Sequence, residues 1–504
     1  MTPARELSQK FPLRPHPHLY EINTWAWLES LSARLGRTIK LEDVPDDEWD
    51  QLARRGFDVV WLMGVWQRSA ESRRLALADP ANRAAFDLAL PGWKPDDVIG
   101  SPYAVANYAP DPRIGTWDSL DAVRKKLHGL GAALFLDFVG NHTALDHRWV
   151  REHPEYYVQG TQSDFQKDPS SFRRIESRAG ARFIALARDP YFPPWPDAAQ
   201  LNHFEPRMRA AQIADLRTIA AHCDGVRCDM AMLHLSDIFQ KVWGHLLGGA
   251  KPLPREFWAD AHAAVPDLIL LAEAYWGTEQ RLLDLGFSFC YDKGLYDAVR
   301  DLRIQEIHDR LAGPVDYQSR LARFLENHDE HRCVSVFGRQ RLPSAVRLFG
   351  TMPGMRFYHQ REFDGCSTFL PITLRIGAPE SPDPWIASLF EQILSITKQD
   401  VFHSGTWNIL TVAAEGDASS SNLAVYEWRN ATTWKLIVVN LGGEPSQGRI
   451  RFGNRTLAAQ QYIFRDELDG VRYPRSGDEL RTSGLFVRRD GFAAHLFDVS
   501  TAQS

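Results

Sequence analysis

The chain has 504 residues, 44% hydrophobic and 24% charged, which suits a globular, soluble protein with a large core and more than one domain. A formal net charge of -6 offers no basic surface for nucleic acid, and no stretch is long and charge-free enough to cross a bilayer, so neither nucleic acid nor membrane is expected as a partner. Five cysteines, none in a Cys-x-x-Cys spacing, fit free thiols in a reducing compartment; residues 1–15 lack a continuous apolar segment, and the expected location is cytoplasmic.

In chain order, His16-Pro17-His18 precedes the apolar Leu19-Tyr20-Glu21-Ile22. A His-x-His pair ligates metal in some barrel hydrolases, but there it ends the first strand; here it starts one, at the opposite mouth, and no metal is assigned to it. Residues 41–55 have helical spacing and lead through Gly56 into the strand-like run Phe57-Asp58-Val59-Val60-Trp61-Leu62-Met63. Residues 67–112 read as a long loop, residues 119–130 as a helix, and Ala132-Ala133-Leu134-Phe135-Leu136-Asp137-Phe138 as another buried strand. The rhythm then stops for a polar excursion over residues 143–202, too long for a structureless loop and so expected to be an inserted subdomain.

Alternation resumes with a helix over 206–222, the strand Asp224-Gly225-Val226-Arg227-Cys228-Asp229, a helix over 235–247 and the strand Leu268-Ile269-Leu270-Leu271-Ala272-Glu273. Residues 287–291, 324–327 and 355–358 supply three more strands, and 384–398 a closing helix. Eight strands separated by helices predict an α/β fold, a (β/α)8 TIM barrel over 1–142 and 203–403. From residue 404 to 504 the pattern alternates with period two between Asn, Gly and Asp, which predicts a C-terminal antiparallel β-sandwich. No internal repeat or low-complexity tract is present.

In such barrels the chemistry lies at the carboxyl ends of the strands. Those positions hold Asp137, Asn141 and His142, then Arg227 and Asp229, then Glu273, then His328 and Asp329. Arg227 and Asp229 are two apart on one strand face, so the guanidinium favours the ionised form a carboxylate nucleophile needs.

These segments resemble the alpha-amylase family, glycoside hydrolase family 13. Asp137-Phe138-Val139-Gly140-Asn141-His142, Gly225-Val226-Arg227-Cys228-Asp229, Glu273 and Asn327-His328-Asp329 are similar to its four characteristic segments, in order; Ser101-Pro102-Tyr103 resembles the loop carrying a sugar-stacking tyrosine. Four ordered motifs together carry far more weight than one. The resemblance implies Asp229 as nucleophile, Glu273 as general acid and base and Asp329 as the third carboxylate. It implies Tyr103, His142, Arg227, His328 and Asp137 as substrate-binding residues. Trp195 and Trp276 are candidate sugar platforms, with packing as the alternative.

The implied activity is a retaining glycosidase acting on α-glucosidic bonds of α-glucans, oligosaccharides or small glucosides through a glucosyl-enzyme intermediate. Arg227 is expected to favour charge on Asp229, and the apolar approach to Glu273 to keep that acid protonated. An α-glucosyl transferase or phosphorylase would use the same three acids. A non-catalytic scaffold would be expected to lose them and to carry a membrane anchor. Many relatives hold calcium through the asparagine at Asn141 and an aspartate in the segment before the fourth strand, where this chain has Gln200; an amide weakens a hard-cation site, so no cofactor is expected. Tyr358-His359-Gln360-Arg361-Glu362 also departs from the family's Gly-Gln-Glu, leaving the sugar-facing shape there open.

Overall fold

The computed structural model describes residues 11–177, 180–453 and 457–501. Eight parallel strands close a barrel: β1 His18–Asn23, β2 Val59–Met63, β3 Ala133–Phe138, β4 Gly225–Cys228, β5 Ile269–Ala272, β6 Phe289–Tyr291, β7 Leu321–Arg323 and β8 Met355–His359. Neighbours in sequence are neighbours in space, and β1 closes the ring against β8 through His18↔Arg356 to Glu21↔His359. The strands read as apolar runs because helices cover one face and the barrel interior the other; all residues of β1, β2 and β3 are buried.

Three local expectations change. Residues 41–55 form a short 3-10 turn, Leu41–Asp43, and a separate helix, Asp46–Arg55, because Pro45 forces Val44 into extended backbone. That helix carries acids in its first turn and arginines in its last, and ends on Gly56 at φ 90°, a conformation open to glycine. Residues 67–112 hold two helices, Ala70–Ala78 and Pro80–Ala89, whose Ala76, Phe86 and Ala89 pack with Val98 and Leu374. The seventh strand lies before 324–327: Leu321 to Arg323 carry the ladder to β6 and β8, and the following residues run on into the mouth.

Between β3 and β4 the chain builds a three-stranded antiparallel sheet, Gln159–Gly160, Phe172–Ser177 and Gly180–Ala185, over its own apolar cluster of Trp149, Tyr157, Ile184 and Leu201. The strand Ala198–Gln200 pairs back onto His142–Ala144 just beyond β3. The last hundred residues form a six-stranded and a three-stranded antiparallel sheet. In Leu423–Arg429 the alternation serves two interfaces at once: Leu423 and Val425 face the core between the sheets, while Ala424, Tyr426 and Trp428 join the barrel core. Tyr426 Oη pairs with Thr351 Oγ1 at 2.7 Å, and Trp428 Nε1 donates to Thr351 O at 2.7 Å. Among the described residues, no helix is long and apolar enough to cross a membrane.

Candidate active site

Parallel strands deliver their last residues to one rim, so Asp229, Glu273 and Asp329, far apart in sequence, meet there. The side chain of Arg227, with no exposed surface, forms the floor. Its Nη1 lies 2.7 Å from Asp229 Oδ1, and its Nη2 2.8 Å from Glu273 Oε2 and 4.0 Å from Asp329 Oδ2. Asp229 and Glu273 are nearly buried, whereas the Asp329 side chain is 43% exposed. All three line one cavity of about 350 Å³, with Tyr103, His142, Trp195 and Tyr275 in its walls. A second space of about 770 Å³, walled by the Ala70–Ala78 and Pro80–Ala89 helices, adjoins it at Ser101, Asp197 and Asp329, away from Glu273.

Burial raises the pKa of both Asp229 and Glu273, and Arg227 opposes the rise in each. The expected division, with Arg227 serving Asp229 alone, does not hold: one guanidinium grips both acids. Glu273 also accepts from the Met230 N–H at 2.6 Å and the Tyr275 hydroxyl at 2.7 Å. Two acids on one cation titrate as a pair; after burial, the charge of Asp229 raises Glu273 further and that of Asp329 raises both, which favours one proton between the two. For Asp329, enclosure opposes ionisation, but His328, with Nε2 at 3.0 Å, outweighs it and lowers the pKa.

Tyr103 covers the floor. Its ring lies 5.0 Å from the Arg227 guanidinium, and its hydroxyl 2.7 Å from His328 Nε2. His142 faces the Tyr103 carbonyl at 3.1 Å, and burial lowers its pKa to about 4, so it is neutral at pH 7. Trp195 leans on His142 at 5.2 Å.

Two of the expected substrate-binding residues sit elsewhere. Arg227 is fully buried beneath the carboxylates and acts through them. Asp137, 1% exposed, accepts from the Gly64 N–H at 2.7 Å, tying β3 to the end of β2, and burial raises its pKa to about 6. Both side chains point inward from strand positions next to the rim, a one-residue distinction that motif spacing does not make. His16 and His18 lie at the opposite mouth, where His18 meets the Gly56 carbonyl and its N–H donates to Asp58. At the end of β8, the Gln360 side chain accepts from the Asn23 N–H, and His359 pairs with buried Glu326.

Sequence reasoning missed two residues, Glu21 and Tyr191, while Trp276 was already a candidate sugar platform. Glu21, between Tyr20 and Ile22 in a fully buried strand, pairs with His328 Nδ1; a lone acid flanked by apolar residues was the available signal. Tyr191 and Trp276 meet at 5.1 Å, Trp276 following the Tyr275 that bonds Glu273, and are 62% and 41% exposed. Trp276 is held at φ 62°, a costly conformation for a bulky residue.

The residues at the implied calcium position do not fit a cation. Gln200 Nε2 donates to Asn141 O at 3.0 Å, Asn141 Oδ1 at 3.1 Å and Leu201 O at 3.0 Å. Two of these acceptors are backbone carbonyls, so the atom they surround must be the NH2 group.

A closed parallel barrel with an acidic, cavity-lining cluster at its carboxyl-terminal mouth is the fold and site of the TIM-barrel class of enzymes. The catalytic-domain description of the alpha-amylase family matches residues 47–226. It is 24% identical over 276 residues to alpha-amylase 3 of Dictyoglomus thermophilum, covering 50% of this chain and 51% of that protein. It is 28% identical over 171 residues to an alpha-1,4-glucan:maltose-1-phosphate maltosyltransferase of Arcanobacterium haemolyticum, covering 30% of this chain and 22% of that one. The matches thus span from about a fifth to a half of these relatives. Among solved structures, a maltogenic alpha-amylase of Thermotoga neapolitana superposes with a TM-score of 0.68 at 19% identity, covering 96% of this chain and 98% of that one, a likeness of fold.

Proposed function

We propose that the protein is a retaining enzyme acting on α-glucosidic bonds. The carrying observation is that one buried guanidinium holds Asp229 and Glu273 together at the floor of a cavity. That arrangement favours the close carboxyl spacing of retaining enzymes, about 5–5.5 Å, over the wider spacing that admits a water in inverting ones. Asp229 attacks the anomeric carbon as Glu273 gives its proton to the departing oxygen. A glucosyl ester on Asp229 forms and the glycosidic bond breaks. Glu273 then takes a proton from the incoming hydroxyl, which displaces Asp229. Asp329, anionic beside His328, accepts from ring hydroxyls and binds the distorted sugar more tightly than the relaxed one.

Water as acceptor makes this a hydrolase. The exposed Tyr191–Trp276 pair, whose Trp276 is next in the chain to the Tyr275 that bonds Glu273, favours a sugar acceptor as well, because bare aromatic faces hold apolar sugar faces. The substrate class is α-glucan, oligosaccharide or small α-glucoside. The five unpaired, buried cysteines support a reducing, cytoplasmic setting, and the Gln200 contacts support a barrel that works without calcium.

The test is turnover of maltotriose and 4-nitrophenyl α-glucoside by wild type and Asp229→Asn, with a 5-fluoroglucosyl fluoride used to trap the ester. A labelled peptide containing Asp229, and activity lost in the variant, are expected. Equal activity of the two proteins, or a label elsewhere, would overturn the assignment.

A further inference from the structure

We propose that Glu21 is a positioning residue for this reaction: it holds His328 through Nδ1 so that the Nε2–H is committed to Asp329 and Tyr103 at the cavity wall. The inference rests on the reading of Asp329 as the carboxylate that holds the sugar ring.

Alternation along β1 sends Tyr20 outward, where it packs with Phe57 and Phe363, and Glu21 into the barrel interior. Glu21 is fully buried and lines none of the cavities around the site. Its Oε1 meets His328 Nδ1, and its Oε2 makes no hydrogen bond. A buried carboxylate costs several kcal/mol unless compensated, on the order of what a well-packed leucine would instead contribute, so stability does not explain an acid here. Its whole polar function is spent on one histidine.

That histidine lies between two carboxylates, with Nδ1 on Glu21 and Nε2 3.0 Å from Asp329 Oδ2. A neutral imidazole has one donor and one acceptor nitrogen, and an acceptor turned towards a carboxylate is repelled. Both nitrogens therefore carry protons and the ring is a cation. The other groups facing it are the Tyr103 hydroxyl, Asp137 on β3, and Arg227 and Asp229 on β4, with the edge of Trp61 from β2. Arg227, and Arg332 across the cavity that His328 shares with His359, oppose the imidazolium; Asp137, Asp229 and Asp329 support it. His328 thus keeps Asp329 ionised and pins its Oδ2, leaving Oδ1 for sugar hydroxyls, and Glu21 sets the ring's charge and orientation from behind.

The near-isosteric Glu21→Gln tests this in the whole protein. With histidine nitrogens labelled, long-range proton–nitrogen correlation of free wild type should show His328 doubly protonated from pH 5.5 to 9. In the variant the ring should become neutral within that range. The alkaline limb of kcat/KM should move down by at least one pH unit, with more than tenfold loss at pH 8 and much less at pH 5.5. Glu21→Asp, which keeps the charge, should retain the wild-type limb. A neutral His328 in wild type at pH 7, or a variant whose ring titration matches wild type, would overturn the proposal. The resonance experiment needs no substrate, so it decides even if no α-glucoside is turned over; a ring that behaves as expected in an inactive protein would count against the proposed function alone.

Discussion

Arg227 Nη2 lies 2.8 Å from Glu273 Oε2 while its Nη1 lies 2.7 Å from Asp229 Oδ1, so the two acids share a single buried cation. A planar fork can span two carboxyls, whereas an ammonium is a point charge. Arg227→Lys should therefore lower kcat by about 100-fold or more, with a smaller change in KM, because charge survives but the paired geometry does not. Arg227→Ala should in addition destabilise the fold by roughly 3–5 kcal/mol, since it leaves buried carboxylates uncompensated. Steady-state kinetics and urea unfolding measure both; a lysine variant with wild-type kcat would refute the shared-cation account.

Gln200 fills with an NH2 group the space between Asn141 and Leu201 oxygens. Chelator should therefore leave the melting temperature within about a degree of its value in millimolar calcium, since a ligand that does not bind the native state cannot shift unfolding. Gln200→Asp should lower the melting temperature in chelator, by replacing an NH2 donor among three acceptor oxygens with a carboxylate, and recover part of it on adding calcium. A wild-type protein stabilised by several degrees on adding calcium would contradict this reading.

Burial holds His142, His147 and His403 down at about pKa 4 and His234 at about 3. Unfolded histidine protonates near 6.5, so below that pH the unfolded chain binds more protons and stability falls, by ~1.4 kcal/mol per pH unit for each histidine, until the folded value is reached. Asp137 and Asp215, raised to about 6 by burial, work the other way, because below 6 the folded state takes up their protons first. Each of these histidines therefore lowers stability, and each of these two aspartates raises it, as the pH falls from 6 to 4, readable as the slope of the urea midpoint against pH. His147→Asn, which keeps the cap on Trp149 N–H without a titrating ring, should flatten the slope by about one proton. An unchanged slope would remove His147 from the set.

Trp276 is held in a left-handed conformation beside exposed Tyr191. Such strain costs on the order of 1–3 kcal/mol, so Trp276→Gly should unfold at a higher temperature if lost packing is small. It should also raise KM for oligosaccharides several-fold and lower the ratio of transfer to hydrolysis, measured by product chromatography. A variant with unchanged products and KM would assign Trp276 to structure.

The barrel was legible because covered parallel strands must be apolar along their length, and turn-forming residues separate them. Asp229 and Glu273 were legible because they directly follow the last residues of two parallel strands, which meet at one rim, whereas Asp329, six residues past its strand, was legible only from the Asn327-His328-Asp329 segment. The helix boundary at Pro45 and the two short helices between residues 67 and 112 were not resolved, since short alanine-rich turns carry little periodic signal.

What the chain by itself determined was the order of strands and the kinds of side chain at their ends, because both follow from local patterns of two and 3.6 residues. Only the closed barrel decided which of those side chains look into the cavity and which lie beneath it. Arg227 beneath both acids, Asp137 turned to Gly64 and Glu21 behind His328 all depend on contacts between strands remote in sequence. The strength of a buried charge is set by such neighbours and not by its own position in the chain.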